Sequence, residues 1–92
     1  MDVAIRQRLA AAAQDVRLRE VLTFLYRDHP QGASFEGLKE MLYLHDDFKE
    51  ESLQQLANDR ILVLTGDRYK VSPPARQILD RDPVILMDEF LR

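Results

Sequence analysis

The stretch from Asp47 to Ser72, DFKEESLQQLANDRILVLTGDRYKVS, decides how the rest of the chain is read. Asp47 is a candidate N-cap, and Glu50 three residues on completes a capping box, so a helix is expected over 47–60. Leu53, Leu56 and Ala57 fall on one stripe of that helix and need a core to cover them. The period then changes. Ile61-Leu62-Val63-Leu64 is too short for another helix and rich in strand formers, Gly66-Asp67 supplies a tight turn, and Arg68-Tyr69-Lys70-Val71 alternates polar and apolar. A two-residue hairpin at Gly66-Asp67 pairs Leu64 with Tyr69 and Leu62 with Val71 on an inner face. It leaves Val63, Thr65, Arg68 and Lys70 outward.

Upstream, Ser34 is a good N-cap for a preceding helix whose buried stripe is Phe35, Leu38, Met41 and Leu42. Gly37 weakens that helix by ~1 kcal/mol relative to alanine and leaves room for close helix packing. Tyr43-Leu44-His45-Asp46 is a short connection into the 47–60 helix. Before it, Leu18, Val21, Leu22 and Leu25 repeat at helical spacing, and His29-Pro30 ends their helix because the residue before proline avoids helical angles. The apolar register shifts near Gln14-Asp15, so either Asp15 caps a new helix or one long helix changes partner there. Ahead of it, Asp2 is a candidate cap, and Ile5, Leu9, Ala12 and Val16 form a short heptad-like seam.

Downstream, Ser72 caps and Pro73 takes the first helical position, with Ile78 and Leu79 as the apolar residues of that helix. Asp82-Pro83 repeats the signal, and Val84, Met87 and Leu91 make a last stripe with Leu86 and Phe90 beside it. The chain is read as one domain: an N-terminal extension helix over 1–14, a core over 15–80 and a C-terminal helix over 83–92. The surplus apolar surface at its two ends either packs back on the domain or joins two copies; the favoured reading is a homodimer, with Ile5, Leu9, Ala12 and Val16 at one end and Val84, Met87, Phe90 and Leu91 at the other.

Composition narrows the class. Of 92 residues, 46% are hydrophobic and 32% charged, the balance of a globular protein with one modest core. There is no cysteine, which removes disulfides and thiolate metal sites from consideration. No apolar run is long enough for a membrane span, and the first residues are not expected to form a signal peptide, so the expected compartment is the cytoplasm. Residues 30–60 hold three basic and seven acidic side chains, so the helix best placed to meet nucleic acid lies in the most acidic part of the chain.

Two helices joined by a short turn, the second followed by a hairpin, make a helix-turn-helix with a wing. The fold expected is therefore mainly α with a small β-hairpin, a winged helix-turn-helix with extra terminal helices. The segments DVRLREVLTFL, SFEGLKEML, SLQQLANDRIL and GDRYKVSPPARQIL resemble, in order and spacing, the winged-helix regulators of the MarR and ArsR kind over about residues 15–80. The resemblance implies a homodimer that binds double-stranded DNA. Two departures stand out: Tyr43 occupies the turn where the family often has glycine, and the recognition helix lacks its usual basic and hydroxyl residues. The metal-sensing cysteines of the ArsR kind have no counterpart here, so metal sensing is not carried over.

A helical wheel fixed on Leu53 and Leu56 turns Glu51, Gln54, Gln55 and Asn58 outward, flanked by Glu50, with Phe48 outward at the first turn and Lys49 toward the core. Gln and Asn read adenine edges, whereas Glu50 and Glu51 oppose phosphates. In the favoured reading, a dimeric transcriptional regulator, Gln54, Gln55 and Asn58 enter the major groove, while Arg68, Lys70, Arg17 and Arg19 touch the backbone. In the alternative, the acidic third helix of the core binds a protein partner through Phe48 and Glu51, unless Phe48 tucks back from the turn and fills the core. No catalytic constellation, phosphate loop or dinucleotide fingerprint is present, and His45 with Asp46 and Asp47 reads as a helix-capping turn rather than a metal site. No cofactor and no enzymatic activity are expected.

Overall fold

The structure, a computed structural model, describes residues 3–87. Its helices are α1 (Val3–Ala12), α2 (Val16–Thr23), α3 (Phe35–Met41), α4 (Glu50–Asn58) and α5 (Pro73–Arg81), with an antiparallel hairpin of β1 (Leu62–Thr65) and β2 (Arg68–Val71) between α4 and α5. A π-helical turn, Phe24–Asp28, extends α2, and a 3-10 turn, Pro83–Leu86, follows α5. This is the mainly helical, hairpin-bearing arrangement of a winged-helix-like fold.

Three helix starts follow from short polar caps. Asp15 accepts from the backbone N–H groups of Arg17 and Leu18, so α2 begins anew there and does not continue α1. Ser34 accepts from Gly37 N–H at the start of α3, and Ser72 from Ala75 N–H at the start of α5. The start of α4 differs from the capping box expected. Its cap is Lys49, without a side-chain bond and exposed rather than turned to the core. Asp47 is bonded instead to Arg17 at 2.8 Å, and Glu50 accepts from the Tyr69 hydroxyl at 2.8 Å. Tertiary partners outcompete the local cap on both residues.

The hairpin register is the one read from Gly66-Asp67: Leu62 faces Val71, Val63 faces Lys70, Leu64 faces Tyr69 and Thr65 faces Arg68. Leu62, Tyr69 and Val71 are buried. Leu64 shares their face but remains 49% exposed, because the wing tip runs past the core that covers its base. At that base Ala33 adds a rung, exchanging backbone bonds of 3.1 and 2.8 Å with Tyr69.

One core joins all the helices. Val21, Leu22 and Leu25 meet Leu38, Leu53, Leu56, Ile61 and Leu79 within it. In α3 the expected stripe is only partly covered, since Met41 is exposed. The largest correction concerns α1. Ile5 and Leu9 are buried in this same core, together with Ala13, so they are not a spare seam for a second copy. Arg6 is ion-paired with Asp82 beyond α5. Ala12 is half-buried, and Val16 is exposed at the first turn of α2, beyond the break at Asp15.

The C-terminal segment also departs from the α-helical stripe expected. With three residues per 3-10 turn, Val84 and Met87 share the outward side at 43% and 46% exposure, and Ile85 is the residue buried. Phe90 and Leu91 lie outside the described residues.

Gly32 is required where the chain from α2 passes under the wing. Its φ is +90°, and a Cβ there would lie 2.8 Å from Tyr69 O and 2.6 Å from Lys70 Cγ. Gly66 at the wing tip has a φ of +64° but open space around it. Gly32→Ala should therefore destabilise the chain by about 2–4 kcal/mol, against about 1 kcal/mol for Gly66→Ala, whose cost is backbone strain alone. Urea denaturation of both variants checks the difference, and equal losses would show that the contact at Gly32 is not limiting.

Candidate interaction face on the fourth helix

The outward face of α4 is formed as the helical wheel requires: Glu51, Gln54, Gln55 and Asn58 are all exposed, opposite the buried Leu53 and Leu56. Beside this face, α1 and α4 leave an open groove of about 510 Å³. Ala11 and Ala12 form one wall, Leu18 and Leu56 the floor, and Glu51 and Gln55 the other wall. Arg8 approaches Asp59 at 3.9 Å toward the C-terminal end of α4, and Arg17 meets Asp47 just before its start. Gln55 also donates its amide to Asp59 at 3.2 Å.

The cations assigned to phosphate contacts are differently placed. Arg17 is bonded to Asp47, and its guanidinium lies 5.5 Å from the centre of the Phe48 ring. Arg19 donates to the carbonyl of Ala13 at 3.0 Å, closing the end of α1. Both are held by intrachain acceptors. Arg68 is exposed on the wing but borders a different depression, alongside His29, Gly37 and Met41, which shares no lining residue with the groove beside Gln55. Lys70 is half-buried, with its stem against Gly32. The structure thus brings Glu51, Gln54, Gln55 and Asn58 together and leaves the four cations dispersed.

Of the two places open to Phe48, the structure takes the core and not the partner surface. Phe48 is 2% exposed, stacked on Phe35 at 6.3 Å between ring centres, and cannot serve as a surface anchor for a partner. The helical wheel placed it outward by extending the period of α4 to residue 48, whereas the helix begins at Glu50 and the preceding residues turn inward. The groove floor was not legible from sequence, because Leu18 and Leu56 each fit an ordinary core stripe. Only the packing of α1 shows that their edges remain open.

Tyr69 anchors the site from beneath. Its ring is buried in the core and its hydroxyl donates to Glu50 in the first turn of α4. Burial, reinforced by the bond to Glu50 and that group's negative charge, pushes the phenol up to about 12 from 10.0. Tyr26, donating to Asp80 at 2.5 Å, is also raised, chiefly by that bond. Among the described residues no three His, Asp or Glu side chains are grouped to hold a metal ion, and no helix is long and apolar enough to cross a membrane.

Comparison with known proteins returns no matching family model, no matching characterised protein and no matching solved structure.

Two outcomes follow from this packing. Phe48→Ala should cost about 3–5 kcal/mol, the loss of a buried aromatic, and a thermal melt within a degree of wild type would contradict its place in the core. Tyr69 gives a pH signature. Its folded pKa lies above the unfolded value, so its contribution is complete below pH 10 and is lost as pH rises through about 12. At about 1.4 kcal/mol per pKa unit, this group should remove about 2–3 kcal/mol over that interval. Denaturant melts of wild type and Tyr69→Phe should diverge accordingly, with the variant lacking this step. An identical alkaline loss in both would assign it elsewhere.

Proposed function

We propose that this chain is a winged-helix-like protein–protein interaction module whose outward α4 face, with the adjoining groove against α1, receives a protein partner. One observation carries the reading. The α4 face is polar and acidic and adjoins an apolar groove, and among the described residues the exposed cations beside it are Lys49 at one end of the helix and Arg60 at the other. Of the other arginines near the face, Arg8 approaches Asp59, Arg17 is bonded to Asp47 and Arg19 to the Ala13 carbonyl. A duplex docked on α4 would meet Glu51 with Lys49 and Arg60, one at each end of the helix, to offset it, and phosphate neutralisation supplies much of any DNA affinity. A protein surface has no such requirement, and an apolar cleft with a polar rim is what protein interfaces use.

The regulator reading retains Gln54 and Asn58, exposed and suited to base edges, and Arg68 on the wing. The experiment that separates the two titrates a random-sequence duplex at low and moderate salt. Neither wild type nor Glu51→Gln should bind saturably, because removing one acid does not create a basic surface. Alongside it, a photo-crosslinking residue at Gln54 should give a discrete protein adduct in cells, and the same residue at the exposed Gln77 of α5 should not. Salt-dependent duplex binding that Arg68→Ala weakens equally on all sequences would overturn the module reading in favour of DNA.

A further inference from the structure

Resting on the module reading, we propose that the groove between α1 and α4 takes an amphipathic helix of a partner protein, which seats aliphatic side chains on Leu18 and Leu56 and sets a lysine or arginine against Glu51. The dimensions suit a helix. From Glu51 to Asp59 the α4 wall rises about 12 Å, room for two side chains one turn apart. The opposite wall is Ala11 and Ala12, whose small side chains let another backbone approach closely.

The charge arrangement selects the partner. In the groove wall Asp59 already faces Arg8, and just ahead of α4 Asp47 faces Arg17. Between them stands Glu51, exposed, and its carboxylate has no ion pair or hydrogen bond with another described residue. A cation on the partner would supply the missing charge, and an acid in its place would meet like charge across a partly desolvated cleft. A second copy of this chain fits poorly, since Ile5 and Leu9, the apolar face of its own first helix, are already buried.

The test uses the full chain and two synthetic alanine-based peptides of about 18 residues, long enough to hold a helix. Each carries two leucines four residues apart, flanked one turn away by lysines in the first and by glutamates in the second. Followed by backbone amide NMR, the lysine peptide should shift Ala11, Leu18, Ser52 and Gln55, and the glutamate peptide should not. Glu51→Gln should weaken binding about two- to five-fold, the range for one exposed charge pair. Ala11→Arg, at an exposed helical position, should block the groove and weaken binding about ten-fold or more without changing the melt. Equal binding of both peptides overturns the charge selection. Shifts confined to Gln54 and Asn58 overturn the groove while leaving the module reading intact. No shift from the lysine peptide at millimolar concentration rejects the proposed partner. Duplex DNA shifting the same amides rejects the module reading as well.

Discussion

The arrangement of the wing against the helices depends on Tyr69. Three kinds of interaction converge on this residue. Its ring fills the core, its backbone N–H and C=O both pair with Ala33, and its hydroxyl reaches Glu50. One residue therefore ties β2 to the segment entering α3 and to the first turn of α4. A two-stranded ribbon is marginal by itself in water, so the wing needs such an anchor to keep a fixed angle. The close passage at Gly32 has the same origin. A backbone bonded in both directions to Tyr69 from Ala33 leaves no space for a Cβ one residue earlier. The other end of β2 is held similarly. Ser72 N–H donates to Ile61 O, and its hydroxyl donates to Arg60 O while accepting from Ala75 N–H. From α4 to α5 the chain is thus closed by bonds at every junction.

Those bonds also shape the electrostatics of the outer face. Folding uses Glu50 for Tyr69, Asp47 for Arg17, Asp15 for the cap of α2 and Arg19 for the end of α1. Part of the charge that looks plentiful in the sequence is thus matched within the fold. What remains on α4 is a short polar strip in which Glu51 is the unmatched carboxylate. A count of charges along residues 30–60 reveals the sign of this region. The geometry shows that on α4 the carboxylate left over is Glu51.

The sequence was most legible where a local interaction had no tertiary rival. Asp15, Ser34 and Ser72 cap as short polar side chains do, and Gly66-Asp67 specifies the hairpin register to the residue. It was least legible where a distant partner competed. Asp47 and Glu50 have capping-box spacing, yet Arg17, thirty residues away, and Tyr69, nineteen away, take them instead. Period assumptions failed in two places. The helical wheel turned Phe48 outward by extending its phase into a segment that is not helical, and Val84 and Met87 were placed on a 3.6-residue period where the chain makes a 3-10 turn. The α1 seam was read correctly as apolar, but pattern alone cannot say whose core it enters. Of the outward face, the four residues of α4 follow from the wheel. The groove does not, because its lining comes from three helices whose mutual packing no single stripe encodes.

The turn between α3 and α4 makes a final distinction between fold and surface. Both α3 and α4 close with a residue in the left-handed region, Tyr43 at φ +53° and Arg60 at φ +64°, where glycine is the residue of least strain. In each case the next residue bonds back across the helix end, Leu44 N–H to Lys39 O and Ile61 N–H to Leu56 O. A non-glycine residue in this conformation costs roughly 1–2 kcal/mol. At Arg60 the cost is offset locally, since its carbonyl accepts the Ser72 hydroxyl at 2.6 Å and so secures the start of α5. At Tyr43 no such return exists among the described residues, and the side chain is 93% exposed. Burial does not repay the strain there, and glycine would close the same turn at lower energy. The packing of this chain accounts for the left-handed backbone at residue 43, but not for an aromatic ring on it.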